Sequence, residues 1–146
     1  MKFTDIPTYR AAVAQSRAQR ALKIKVSELL KTHGITMMQW SIIGLVFEAG
    51  DTGMRISDLA KELNTSMAFI TTIVNILEAK SVVQKTSHER DSRAKVVRLS
   101  DSFKPKVKEI ESQMHSQLDA WLNTRADKTE IGTYFAVLTR LAENKA

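Results

Sequence analysis

Apolar residues recur every three or four positions over the first part of the chain, as they do on one face of a helix. The first run predicts a helix from about residue 7 to residue 33, ended by Gly34. The second run predicts a helix that begins with a capping box, because Thr36 and Gln39 have the required spacing. This second helix is expected to end at a turn-forming cluster over residues 50–53.

Two shorter helical segments follow, separated by only a few residues. The first covers residues 57–63 with Ser57 as its expected N-cap, and the second covers residues 66–79 with Ser66 in the same position. Two helices joined by so short a turn are typical of a helix-turn-helix. The apolar stripe of the second helix consists of Ile70, Ile73, Val74 and Leu77.

The next segments predict a β-hairpin. Residues 82–86 and 95–99 are rich in β-branched side chains, and a polar segment over residues 87–94 predicts a long tip between them. Residues 54–56 are expected to add a short third strand, because a two-stranded ribbon alone is marginally stable. A helix-turn-helix followed directly by a basic hairpin is typical of a winged helix.

The helical period returns after residue 100 and continues almost to the end of the chain. Pro105 lies in the first turn of one predicted helix, where proline is tolerated. Asp127 and Glu130 have the spacing of a capping box that starts another. The apolar stripe of the first consists of Val107, Ile110, Met114, Leu118, Trp121 and Leu122, and that of the second of Ile131, Tyr134, Phe135, Leu138 and Leu141.

The expected fold class is mainly α with a small β-hairpin, a winged helix-turn-helix with N- and C-terminal dimerisation helices. Residues 1–146 are expected to form one domain, with about 36–100 as the DNA-binding part. About 5–33 and 101–144 form the helical part, which is too apolar to be covered by the winged part alone. We therefore expect a symmetric homodimer that presents two helices to a pseudo-palindromic site on double-stranded DNA.

The charge distribution agrees with a polyanionic partner. Between Lys80 and Lys108 there are nine cationic residues and three acidic ones, a net +6 that equals the excess of the whole chain. Such a local concentration of positive charge is typical of a surface that displaces counterions from DNA.

Composition removes several other classes of function. The chain has no cysteine, so disulfides and thiolate metal sites are excluded, and its three histidines are too far apart in sequence to suggest a metal site. No phosphate-binding loop or catalytic constellation is present, so we expect neither an enzyme nor a cofactor. No secretory signal and no membrane-spanning run is recognisable, which favours a cytoplasmic protein without a membrane partner.

Several short motifs resemble the MarR (multiple antibiotic resistance regulator) family in order and spacing. They are Ile56-Ser57-Asp58-Leu59-Ala60, Ile70-Thr71, Leu77-Glu78, Asp91-Ser92-Arg93 and Val97-Arg98-Leu99-Ser100. The resemblance covers roughly residues 5–143, and its most specific part is the Asp-x-Arg sequence between two strands. It implies a dimeric transcription regulator, more often a repressor than an activator, whose DNA binding is relieved by a small ligand.

The helix over residues 66–79 has an outward face with limited chemistry for reading bases. Asn75 is expected to bind adenine, and Thr72 or Phe69 to contact a thymine methyl group. The alternative, that Phe69 and Ile76 pack against neighbouring helices, is left open. The full set of expected DNA contacts is Ser57, Thr65, Ser66, Ala68, Phe69, Thr72, Asn75, Arg90, Arg93 and Lys95.

The hairpin is expected to insert Arg93 into a minor groove, where narrow A·T-rich DNA has a high negative potential. Asp91 is expected to hold the guanidinium of Arg93 and to order the tip. The alternative is a surface ion pair between the two, which contributes little.

The resemblance also implies an effector cavity between the early helices and the winged part. The candidate contacts to a small aromatic or amphipathic effector are Arg17, Arg20, His33 and Trp40.

The chain departs from the family pattern in one respect. Family members typically carry Arg at the positions of Thr72 and Ile76, whereas this helix has no cation between Ser66 and Ala79 and carries Glu78. The departure motivates a second hypothesis, a protein-interaction module that keeps the winged fold without specific DNA binding.

Overall fold

Six α-helices, three short 3-10 helices and three strands make up the part of the chain that the structure, a computed structural model, describes. That part is residues 1–88 and 91–143, and at positions 88 and 91–93 it is the backbone alone. The elements are α1 (Thr8–Lys31), α2 (Met37–Ala49), β1 (Met54–Arg55), α3 (Ile56–Glu62), α4 (Met67–Ala79), β2 (Val83–His88), β3 (Asp91–Leu99), α5 (Lys104–Asn123) and α6 (Lys128–Ala142).

Side-chain caps begin three of the helices as the sequence predicts. The Thr36 hydroxyl accepts a hydrogen bond from the Gln39 amide at 3.1 Å, and the Gln39 side chain accepts one from the Thr36 amide at 3.2 Å. Asp127 and Glu130 form the same reciprocal pair at the start of α6. The hydroxyl of Ser66 accepts from the Phe69 amide at 3.1 Å and caps α4. These local signals are confirmed.

The predicted cap at Ser57 is wrong. The N-cap lies two residues earlier, at Arg55, which has no side-chain cap, and helix α3 begins at Ile56. Arg55 is also the last residue of β1 and pairs with Val96. The extended conformation of the N-cap is therefore imposed by the sheet, so the helix needs no hydroxyl to define its start.

The sheet is antiparallel with the strand order β1-β3-β2, which confirms the short third strand. Its strands extend further than expected, because β2 runs to His88 and β3 begins at Asp91. The predicted long tip over residues 87–94 is therefore wrong. Ser87 pairs with Lys95, whose ammonium donates to the Ser87 hydroxyl at 3.0 Å, and a bulge follows between Ser87 and His88. The strand pairing therefore continues into the polar segment, and the side chains of the Ser87–Lys95 pair interact across the strands.

One apolar core joins the helix-turn-helix to the sheet and to α5. The predicted stripe of α4 is buried, and it packs with α2, α3 and the inner face of β3. A second, smaller cluster of Leu30, Ile110 and Met114 connects α1 to α5. The fully buried side chains of the larger cluster include Ile42, Ile43, Val46, Leu59, Ile70, Val74 and Val97.

Gly53 is required where the chain enters β1. Its φ is +68° and its ψ is −170°, a combination that is essentially restricted to glycine. A Cβ at this position would lie 2.5 Å from the carbonyl oxygen of Val97 and 2.8 Å from Cγ of Arg98. The backbone of the incoming chain is therefore in direct contact with β3.

Replacing Gly53 with alanine is expected to destabilise the fold more than replacing Gly50. Gly50 also has a positive φ of +66°, but a Cβ there would meet nothing within 4 Å. Gly50→Ala should cost about 1–3 kcal/mol through backbone strain alone. Gly53→Ala should cost about 2 kcal/mol more, because the added methyl group overlaps β3. Urea denaturation at one fixed protein concentration measures both, and equal losses would contradict the account.

Candidate nucleic-acid interface

The outward face of α4 is exposed and carries no cationic side chain. Met67, Phe69 and Ile76 are 55%, 46% and 43% exposed. Thr72 is exposed as well, and its hydroxyl donates to the backbone carbonyl of Ala68 at 3.1 Å. In this chain Phe69 and Ile76 thus lie at the surface rather than against neighbouring helices. The face offers apolar contacts and a few polar groups.

Strand β2 contributes a cation to the edge of this face. The ammonium of Lys85 donates to Oδ1 of Asn75 at 2.6 Å. The backbone amide of Lys85 donates to the Glu78 carboxylate at 2.8 Å. Lys85 is absent from the contacts expected from the sequence. Only the register of β2 against α4 brings it beside Asn75, and no local pattern shows that register.

The turn between α3 and α4 forms a concave surface of about 460 Å³. Ser57 and Thr65, two of the expected DNA contacts, lie together there with Lys61 and Asn64. Asn64 has a φ of +51°, a left-handed conformation that asparagine adopts more readily than most residues. The tight turn thereby places two hydroxyls and one ammonium near the start of α4.

The hairpin contains the remaining expected DNA contacts. Lys95 is exposed on β3 and is hydrogen-bonded to Ser87. Arg90 lies outside the described residues. The backbone of Asp91 and Arg93 belongs to β3, and their side chains lie outside what the structure describes. The geometry of the expected pair between these two side chains stays a prediction.

The cations at the start of α5 have acidic partners. Lys104 lies 2.8 Å from Asp101 and 3.2 Å from Asp51. The hydrogen bond and the charge of Lys104 hold the pKa of Asp101 below its ordinary value. Lys106 approaches Glu109 at 3.9 Å. Part of the basic segment therefore carries charge that is neutralised locally, behind the hairpin.

An open groove of about 760 Å³ separates α2 from α5. Trp40 and Phe47 form its aromatic wall, and Lys108, Glu111 and His115 line the opposite helix. His115 and Glu111 approach each other at 4.0 Å. Because α2 and α5 are about 60 residues apart in sequence, no short motif could have predicted these neighbours.

The four expected effector contacts do not come together. Trp40 lines the large groove, whereas His33 lines a separate cavity of about 270 Å³. Arg17 and Arg20 are exposed on α1 and line neither cavity. Trp40 alone of the four is therefore placed at the groove.

The terminal helices expose a second apolar face. Helix α6 has no buried residue, and Tyr134, Val137 and Leu141 lie on one side of it, with Leu141 75% exposed. The half-buried side chains Ile131 and Phe135 instead face a groove shared with α5. Helix α1 adds the exposed residues Tyr9, Val13 and Ile24. Exposed large apolar side chains concentrated on two helices in this way are typical of a surface that another chain covers.

Other kinds of site receive no support from residues 1–88 and 91–143. Within these ranges, no group of three or more His, Asp or Glu side chains is arranged to hold a metal ion. None of the described helices is both long and apolar enough to cross a membrane.

Comparison with known proteins points to one family. Residues 35–95 match the model of the MarR family. An uncharacterised HTH-type transcriptional regulator of Bacillus subtilis, YfiV, is 26% identical over 121 residues, which cover 82% of this chain and 74% of YfiV.

Solved structures share the fold over almost the whole chain. A MarR-family transcriptional regulator from Rhodococcus sp. RHA1 superposes with a TM-score of 0.84 at 15% identity, covering 94% of this chain and 96% of that one. MepR of S. aureus, solved as a DNA complex, superposes with a TM-score of 0.72 at 21% identity, covering 89% and 94%. Residues 35–95 therefore match the MarR family model, and the solved structures show that almost the whole chain shares the winged helix-turn-helix fold of those regulators.

Proposed function

We propose that this protein is a homodimeric transcription regulator that binds double-stranded DNA through α4 and the β2–β3 hairpin. The observation that carries the proposal is the exposed face of α4 beside the cation of Lys85. A helix of this length fits the major groove, and the hairpin extends towards the neighbouring groove. The structure of MepR with DNA supports this use of the fold.

Each part of the interface has a distinct task in this proposal. Ser57 and Thr65, at the turn, donate hydrogen bonds to phosphates and fix the position of the protein on the duplex. The outward residues of α4 read base edges in the major groove. Arg93 enters the minor groove, where Asp91 orders it, and Arg90 and Lys95 add attraction to the backbone.

In this proposal a second copy of the chain covers the exposed apolar side chains of α1 and α6. Burying Tyr9, Tyr134 and Leu141 removes apolar surface from water, which is the usual driving force for obligate dimers. A two-fold dimer then places two α4 helices on one face, so that the site on DNA is a pseudo-palindrome.

We further propose that the protein acts as a repressor and that a small aromatic or amphipathic ligand lowers its affinity for DNA. The groove between α2 and α5 supports this, because its aromatic wall suits a flat apolar ligand. Helix α2 contacts the sheet as well as α1 and α5, and α5 contacts α1 and α6, so the groove lies where the winged part meets the terminal helices. In this proposal a ligand there changes the angle between the two parts. In a Trp121→Phe variant, which leaves Trp40 as the one tryptophan, quenching of fluorescence during ligand titration reports whether the groove is occupied.

Arg93→Ala should weaken binding to a duplex recovered from a random pool by about 1–3 kcal/mol per half-site. The matched control is Lys104→Ala, which removes the same charge from a side chain already paired with Asp101 and Asp51. The control should change affinity little. Fluorescence anisotropy measures both, with circular dichroism to check folding. Equal affinity of Arg93→Ala and the parent protein would exclude the minor-groove contact.

Leu141→Glu should weaken the dimer by about 100-fold or more, because an unpaired carboxylate in an apolar interface loses its hydration. The matched control is Ala136→Glu, which introduces the same charge on a different side of the exposed helix α6. Sedimentation equilibrium over a range of concentrations gives both dissociation constants. A full-length parent protein that is monomeric at micromolar concentration would contradict the dimer, as would identical behaviour of the two variants.

A further inference from the structure

We propose that Lys85 is a specificity-determining residue, which turns Asn75 from a reader of adenine into part of a reader of guanine. The proposal rests on the proposed function, because it assumes that α4 enters the major groove. Its basis is the contact of Lys85 Nζ with Oδ1 of Asn75 at 2.6 Å, on the exposed face of the helix. Strand β2 thereby supplies a cation at the edge of a helix that has none.

The backbone of Lys85 is fixed from two directions. Strand β2 is an edge strand, and Lys85 is paired there with Val97 of the central strand. Its backbone amide points away from the sheet and towards α4, where it donates a hydrogen bond to the Glu78 carboxylate at 2.8 Å. Glu78 and Asn75 are three residues apart on α4, so they lie on the same side of the helix. The half-buried Lys85 side chain therefore begins from a defined point beside Asn75.

The contact determines the orientation of the Asn75 amide. An ammonium group only donates hydrogen bonds, so the Asn75 atom that faces it must be the oxygen. The NH₂ group of Asn75 consequently points away from Lys85. Next to it, the ammonium keeps two N–H groups that are not used by Asn75. The exposed pair thus presents several donors side by side.

A surface that presents only hydrogen-bond donors is complementary to the major-groove edge of guanine rather than to that of adenine. Adenine recognition by Asn requires Oδ1 to accept from the N6 amino group while Nδ2 donates to N7. The Lys85 ammonium uses one lone pair of Oδ1, and its remaining N–H groups and its charge lie beside the position that the N6 amino group, also a donor, would have to occupy. Guanine offers two acceptors, O6 and N7, in the major groove. The expectation that Asn75 reads adenine is therefore replaced by a G·C pair at one position of each half-site.

The test is selection of binding sites from random duplexes, followed by affinity measurements on the recovered site. The variants are Lys85→Met, which keeps the length of the stem without donors, and Lys85→Arg, which keeps donors and charge. Lys95→Met is the matched control, since it removes one charge from the neighbouring strand. For each protein, the affinity is measured for the recovered site and for the same site with the G·C pair replaced by A·T.

The parent protein and Lys85→Arg should prefer the G·C pair by about tenfold, the lower range for a two-bond base contact. In Lys85→Met this preference should fall to about twofold or less, while the rest of the consensus is kept. Lys95→Met should weaken both duplexes alike and keep the preference. Thermal unfolding shows whether the variants are folded.

Three results would overturn the inference, and only the last of them also overturns the proposed function. If Lys85→Met loses affinity equally for both duplexes, as Lys95→Met does, Lys85 only attracts phosphates and the proposed function is unaffected. The same conclusion follows if the recovered site has no G·C pair that depends on Lys85. If the parent protein recovers no common sequence at all, the proposed function itself fails, and the inference fails with it.

Discussion

The rest of the structure depends on the position of β3. This strand packs against the helix-turn-helix core and is hydrogen-bonded to β1 on one side and to β2 on the other. Val97, at its centre, is fully buried and pairs with Met54 on one side and with Lys85 on the other. Its carbonyl oxygen is the atom that forbids a side chain at Gly53. The same strand therefore fixes the start of α3, the register of the hairpin and the place of Lys85.

The consequence is that the proposed DNA-binding surface is assembled from two elements. Helix α4 uses Ile70, Ile73, Val74 and Leu77 to hold its position, and this leaves a neutral, partly apolar face outside. In the proposed interface the missing charge comes from Lys85 on β2 and from the cations nearer the tip of the hairpin. A rigid sheet-to-helix contact is a more accurate way to place a cation than a long side chain on the helix alone, because less rotamer freedom is lost on binding DNA.

The sequence predicts those features of the fold that depend on nearby residues. Capping pairs three residues apart and the apolar stripe of α4 appear directly in the sequence, and the structure confirms them. The predictions for the start of α3 and for the length of the hairpin strands are wrong, because pairing between strands decides both. The contact between Lys85 and Asn75, and the groove between α2 and α5, arise from packing of distant segments. No spacing rule within one helix or strand contains that information.

The dependence of DNA affinity on salt tests the central claim most directly, because only a protein that displaces counterions from phosphates shows a steep response. The measurement is the dissociation constant of the dimer for one duplex at several salt concentrations from about 50 to 200 mM. With about 6–10 phosphate contacts per dimer, the affinity should fall by about 10³-fold or more over this range. A flat response would contradict the account and favour a winged fold used for contacts with other proteins.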